Sequence, residues 1–350
     1  MRKVIDSELC HETLLKNNPP KYAFDETEDF DVWKADLKKA FISISGLDRI
    51  EKNACPLNFQ IEEEIKKDGY TQIRFTFDSE AGCSVPCYLL VPDTGKEKYP
   101  VAIVVQGHAW GGIKNSIGAT DESDELYDNA YAQSNGKFAV QAVENGYIAL
   151  AVEQRGMGES MPIKPKRGWG GLCKFAVGMA LMCGRTVIGE RVWDVHKAID
   201  CLSYFDKCDL DKIVITGNSG GGTTSFYSAC FDERIKISAP SCSFCSYAEY
   251  ILNIYHCDCN YMPKAYENFE MQDLSGLIAP RPLIAFTGQK DQIFPLEGVK
   301  NAFETVKAVY KKAGVEENCR LIETPYGHFW APEITWKAIN EKAKELGWKN

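Results

Sequence analysis

A serine, an aspartate and a histidine each follow an apolar run in this chain. Ser219 stands in Gly217-Asn218-Ser219-Gly220-Gly221, Asp291 ends Gly288-Gln289-Lys290-Asp291, and His328 follows Tyr326-Gly327. Together these groups can do nucleophilic acyl transfer. A serine hydroxyl attacks a carbonyl at neutral pH only if a base takes its proton, and an imidazole does that best when a carboxylate fixes its tautomer. Developing oxyanion charge needs N–H donors. The Gly220 N–H is one candidate, and Ala109 or Trp110, in Gln106-Gly107-His108-Ala109-Trp110-Gly111-Gly112, is the other. His108 in that loop either contacts substrate or hydrogen-bonds backbone to shape it. Arg155 has two readings as well, binding a substrate carboxylate or pinning nearby loops through backbone carbonyls.

These residues work only if strands deliver them to one edge of a sheet. Ile213-Val214-Ile215-Thr216 reads as a buried strand and Thr223 to Cys230 as a helix, so Ser219 sits on the sharp strand-to-helix turn of a nucleophile elbow. Val101 to Val105 is apolar without alternation, as a strand covered on both faces is, Tyr147 to Val152 and Ile235 to Ala239 read as further strands, and Pro282 to Thr287 as another buried one. Arg320 to Glu323 completes the series. Helices are expected over Phe138 to Glu144, over Arg185 to Phe205 with Ile188, Val192, Val195, Ile199 and Leu202 on one stripe, over a segment carrying Val299, Phe303, Val306 and Tyr310, and over Ile334 to Leu346. Thr71 to Phe77 and Val85 to Val91 alternate and predict an antiparallel hairpin turning at Ser79-Glu80-Ala81-Gly82.

Strands alternating with helices imply an α/β fold: a mostly parallel central sheet with helices on both faces and right-handed crossovers. The order Ser, Asp, His, each at a strand's C-terminal end, is that of the α/β-hydrolase arrangement. Residues 1–68 read as an N-terminal arm and a covering helix (Asp29 to Ala40, with Phe30, Trp33 and Leu37 in register), and residues 69–350 as the catalytic domain. Two irregular stretches, about 156–184 and 242–276, read as lid-type insertions.

The 350 residues carry a formal charge of −9 and are 45% hydrophobic, which gives a sizeable core and argues against nucleic-acid or anionic-membrane partners. A small ester substrate fits better. The N-terminal residues hold no apolar leader and no window suits a transmembrane helix, so a cytoplasmic location is expected. The N-terminal extension offers a surface for a homo-oligomer. Among the five histidines, His11 belongs to the arm and His196 to the long helix as a surface or satisfied core residue. Fourteen cysteines without a leader read as thiols of a reducing compartment. Cys242-x-x-Cys245 and Cys257-x-Cys259, beside His256, are a conceivable zinc quartet, but the Cys-x-Cys bite is strained and free thiols are expected, with no metal.

Gln106-Gly107-His108, Arg155-Gly156-Met157-Gly158, Gly217-Asn218-Ser219-Gly220-Gly221, Cys259-Asn260-Tyr261-Met262-Pro263, Ala279-Pro280-Arg281-Pro282 and Gly327-His328 resemble the acetyl xylan esterase-like, dienelactone-hydrolase-related α/β-hydrolases from Pro100 to about Ala331. The resemblance implies Ser219, Asp291 and His328 as catalytic residues and carboxylic ester hydrolysis without a metal cofactor. It makes acetylated carbohydrate, such as xylo-oligosaccharides, the leading substrate class. Met157, Gly220 and Phe329 depart from the better-known acetyl xylan esterases, which carry Gln, Gln and Glu there, and Ser219 replaces the cysteine of dienelactone hydrolases proper. A prolyl-oligopeptidase-type peptidase uses the same triad on the same fold, and a catalytically silent binding protein is the other alternative.

Overall fold

The computed structural model describes residues 6, 8–108, 111–119, 136–161 and 173–348. These residues build a sheet of nine strands: β1 (Gln60–Lys66), β2 (Tyr70–Glu80), β3 (Cys83–Pro92), β4 (Tyr99–Val105), β5 (Ile148–Val152), β6 (Cys208–Asn218), β7 (Ile235–Ser241), β8 (Leu283–Gly288) and β9 (Cys319–Thr324). Across the sheet the order is β1-β2-β3-β5-β4-β6-β7-β8-β9. Strands β1, β2, β3 and β5 pair antiparallel, and from β5 onward every pairing is parallel.

Side chains alternate across a strand, so a strand covered on both faces feeds two cores. Along β4, Val101, Ile103 and Val105 join a cluster with Ile188, Phe226 and Val306, whereas Ala102 and Val104 join Phe138, Trp336 and Ile339. Helices Val187–Cys201, Gly220–Phe231 and Leu296–Lys312 therefore cover one face, and Phe138–Glu144 with Pro332–Glu345 the other. The covering helix runs over Phe30–Ser45, started by the Asp29 carboxylate accepting the Asp31 and Val32 N–H groups and stopped at Gly46 in left-handed backbone. It buries Trp33, Leu37 and Phe41, and Phe41 stacks on Tyr227 with ring centroids 5.8 Å apart.

Strand β1 lay outside the sequence expectation. It is a charged, mostly exposed edge strand (Gln-Ile-Glu-Glu-Glu-Ile-Lys), so no buried face imposes the alternation that marks β2 and β3. Glu80 differs for the opposite reason: the expected turn residue ends β2 and is buried. Its carboxylate accepts from Arg155 Nη1 at 2.6 Å, Arg185 Nη1 at 2.9 Å and Asn53 Nδ2 at 2.8 Å. Burial works against the charge, but the Arg185 and Asn53 hydrogen bonds and the Arg155 guanidinium outweigh it and hold the carboxyl at about 2.

We expect Glu80→Ala to cost about 3 kcal/mol, because two arginines lose a buried counter-charge. A folded-state pKa below the ordinary 4.5 stabilises above that pH and the benefit fades as pH falls toward 2. The gap between wild type and variant in urea unfolding should accordingly narrow below about pH 4.5; a gap independent of pH would mean that Glu80 acts through packing alone.

Candidate active site

In the sheet, β5 lies on one side of β4 and β6 on the other, so the crevice at the C-terminal ends of β4 and β6 is a topological switch point, where α/β sheets bind ligands. Ser219 sits there, between β6 and helix Gly220–Phe231, at φ 56° and ψ −124°. A non-glycine residue in that region is strained and needs surroundings that hold it. Its N–H donates to Ser241 O at 2.9 Å and its carbonyl accepts from Thr223 N–H at 2.8 Å. The flanking glycines serve close approach. A Cβ at Gly217 or Gly221 would stand 2.4 or 2.0 Å from Val105 O, so only glycine lets the elbow lie against the end of β4. The N–H of Gly220 opens the helix and has no carbonyl four residues earlier within it, and the helix dipole adds positive potential there.

Asp291 and His328 meet through the adjacent ends of β8 and β9. Lys290 N–H donates to Tyr326 O and Gln289 N–H to Thr324 O, each at 2.9 Å, which ties the two loops together. The close fit again requires glycine, since a Cβ at Gly288 would fall 2.0 Å from Gly327 O. His328 Nδ1 lies 2.9 Å from Asp291 Oδ2, and the other carboxylate oxygen accepts from Ile293 N–H at 2.8 Å and Phe294 N–H at 3.1 Å. The Asp291 side chain is fully buried and the His328 ring stacks on Phe294 with an interplanar angle of 9°. Burial alone would raise the Asp291 carboxyl, but the His328 hydrogen bond and the two backbone donors bring it below the usual carboxylate range. An ionised Asp291 makes Nδ1 the protonated nitrogen and leaves Nε2 as a lone-pair base.

Ser219 and His328 line one cavity of about 480 Å³, with His108, His256, Tyr255 and Ile293 on its walls. A larger cavity of about 770 Å³ lies between a short helix, Leu9–Asn17, and residues 247–267, but Ser219, Asp291 and His328 do not line it. Size therefore does not locate this chemistry. Ala109 and Trp110, the candidate second oxyanion donors, lie outside the described residues, as does part of the first insertion. His108 does reach the cavity. A Cβ at Gly220 would stand 2.7 Å from His108 Cε1 and Nδ1, so the imidazole rests against the elbow itself.

Arg155 requires a correction. Its Nε and Nη2 pair with both oxygens of Asp194 at 2.8 Å and its Nη1 with Glu80, while its own carbonyl accepts from Arg191. Among the described residues the guanidinium is engaged by these carboxylates and the Ser79 hydroxyl rather than by backbone carbonyls, and Arg155 does not line the cavity that holds Ser219 and His328. The cysteine quartet separates too: Cys242 lies near Asp291 and His328, Cys257 and Cys259 converge with His108 and Cys173, and Cys245 packs toward helix Leu296–Lys312 at Gly298.

Two further residues shape the site. Glu153, at the end of β5, accepts N–H bonds from Ile113, Gln154 and Glu159 and so ties the loop after β4 to the loop after β5. Burial pushes its carboxyl up to about 7 although those donors pull it down. His256 accepts at Nδ1 from Asn260 Nδ2 at 2.9 Å, and burial together with the His108 and His328 imidazoles lowers it to about 4. It is neutral at physiological pH. A glutamate directly after a buried strand was the available signal for Glu153; His256, in an aperiodic insertion, carried none beyond its proximity to cysteine.

The comparisons agree with this architecture. The model of the family described as the abhydrolase family matches residues 2–230. A Bacillus subtilis (strain 168) protein, provisionally named hydrolase YtaP, is 26% identical over 265 residues, spanning 75% of this chain and 83% of its own. Among solved structures, a Bacteroides fragilis NCTC 9343 protein provisionally designated an acetyl xylan esterase superposes with a TM-score of 0.74 at 19% identity, over 92% of this chain and 83% of that one. A glucuronoyl esterase from Solibacter usitatus gives 0.65 at 16% identity, over 93% and 97%. No helix among the described residues is long and apolar enough to cross a membrane. With the sheet order, the elbow and a family match over well over half its length in agreement, the chain belongs to the abhydrolase family.

Proposed function

We propose that the protein is a serine carboxylic ester hydrolase acting on short acyl esters, acetyl esters of small carbohydrates above all. The observation that carries this reading is the strained Ser219 elbow sharing a cavity with His328, whose far nitrogen is bound by a buried carboxylate. In the proposed cycle His328 Nε2 takes the Ser219 proton as Oγ attacks the ester carbonyl. The Gly220 N–H and a donor from the Ala109–Trp110 stretch hold the oxyanion. The intermediate then collapses, His328 returns the proton to the departing alcohol, and water activated by the same imidazole releases the acid. No step calls on a metal. A cavity near 480 Å³ has room for a short acyl group with one or two sugar units, and the esterase names of the structural neighbours point to ester substrates.

The test is hydrolysis of p-nitrophenyl acetate, butyrate and octanoate, of acetylated xylo-oligosaccharides and of an aminoacyl-prolyl chromogenic substrate. We expect turnover that falls with acyl length, acetate release from the sugars and no amide cleavage. Amide cleavage without ester preference would establish the peptidase alternative, and failure of Ser219 to react with a fluorophosphonate would establish a silent binding protein.

A further inference from the structure

Three distant stretches of chain bring an imidazole and three thiols to one point beside the catalytic cavity. His108 comes from the loop after β4, Cys173 from the start of helix Lys174–Met182, and Cys257 and Cys259 from a short 3-10 turn in the second insertion. One ligand atom from each lies within 4.8 Å of the other three. The His108 Nε2 to Cys259 Sγ distance is 3.1 Å and the Cys257 to Cys259 Sγ distance is 3.4 Å. Zinc bonds of about 2.3 Å to sulfur and about 2.0–2.1 Å to nitrogen give a tetrahedron with edges of roughly 3.5–3.8 Å, so small adjustments suffice to close it. The strained bite expected of Cys-x-Cys is relieved by the turn, which directs both sulfurs to the same side.

A second observation concerns charge. Arg191 is buried, yet among the described residues its guanidinium meets no carboxylate: it donates to Arg155 O, to Cys173 Sγ at 3.2 Å and to Cys259 Sγ at 3.4 Å. A buried cation needs a counter-charge. Zinc bound by three thiolates and a neutral imidazole carries one net negative charge, which a single arginine balances, and N–H···S bonds are the outer contacts that orient such ligands.

We infer that His108, Cys173, Cys257 and Cys259 form a tetrahedral zinc site, with Arg191 as its neutralising outer partner. Three sulfurs and one nitrogen are the ligand set of structural zinc, and four protein ligands leave no position for a reactive water. The ion therefore acts on shape. It joins the loop after β4, the first insertion and the second into one wall of the cavity, and it holds the His108 ring against Gly220. The absence of a side chain at Gly220 is then what admits the ligated imidazole beside Ser219. Cys242 and Cys245, the other pair that the spacing suggested, take no part.

The test is metal content by mass spectrometry on the full chain after chelation, reconstitution with zinc and desalting. We expect about one zinc per chain in wild type and in Cys245→Ser, less than about a tenth of that in Cys259→Ser and in His108→Ala, and a fall in Tm of at least about 5 °C on chelation. Cobalt(II) in place of zinc should show thiolate charge-transfer absorption that Cys259→Ser lacks. Two variants on different segments guard against one that fails to fold, and the cobalt spectrum reads the wild type directly. Absence of bound zinc after reconstitution, undiminished zinc in both variants, or a Cys257–Cys259 or Cys173–Cys257 disulfide in non-reducing peptide mapping would overturn the site. None of these readouts uses ester turnover, so this inference and the esterase reading stand or fall separately.

Discussion

Ser219→Ala should lower kcat for p-nitrophenyl acetate by about 10⁴–10⁶-fold while the protein stays folded. The size follows from the chemistry: without Oγ there is no covalent intermediate, and only the oxyanion donors and substrate binding remain to accelerate attack by water. Stability should barely move. Ser219 already holds φ 56° as a non-glycine residue, so alanine carries the same backbone strain and the elbow's hydrogen bonds use main-chain atoms. Ser219→Gly separates the two roles, since it removes the proposed nucleophile and also relieves the strain, and it should gain up to about 1 kcal/mol in urea unfolding while remaining inactive. A Ser219→Ala variant retaining a tenth of wild-type turnover would show that another group attacks the ester.

The second large effect is expected of Asp291→Asn, a loss of about 10³–10⁴-fold in kcat with little change in fold. Asparagine can still accept the Ile293 and Phe294 N–H groups through its carbonyl oxygen. Its amide nitrogen then faces His328 Nδ1 where a carboxylate oxygen stood, so the imidazole must accept there and move its proton to Nε2. An imidazole in that tautomer cannot take the serine proton. Because His328 and the backbone donors hold the wild-type carboxyl below the ordinary range, Asp291 stays ionised across neutral pH, and the acid limb of the wild-type pH–rate profile should not come from it. Near wild-type turnover by Asp291→Asn would mean that the Phe294 stack alone orients the ring.

Both effects depend on how much the chain encodes locally. The Gly-Asn-Ser-Gly-Gly turn between a β-branched run and a helix was legible because the strand, the close approach and the strained turn each need particular residues at fixed spacing. The buried parallel strands were legible as apolar runs, and helix Val187–Cys201 as a stripe, because burial on a periodic element leaves a periodic trace. Strand β1 left no such trace, being exposed on its length.

Arg155 and the cysteines differ in kind. Arg155 finds its partners 39 and 75 positions away, in Asp194 and Glu80, and a carboxylate needs no local pattern to accept a guanidinium. His108 and Cys259 are separated by 151 positions and meet through insertions that have no period. The sequence by itself therefore determined the sheet, the elbow and the residue types at the strand ends, because each follows from interactions within a few residues. Tertiary structure alone decided which charges and thiols share a site, because those contacts form only where strands from opposite halves of the chain lie side by side and their loops close over one edge.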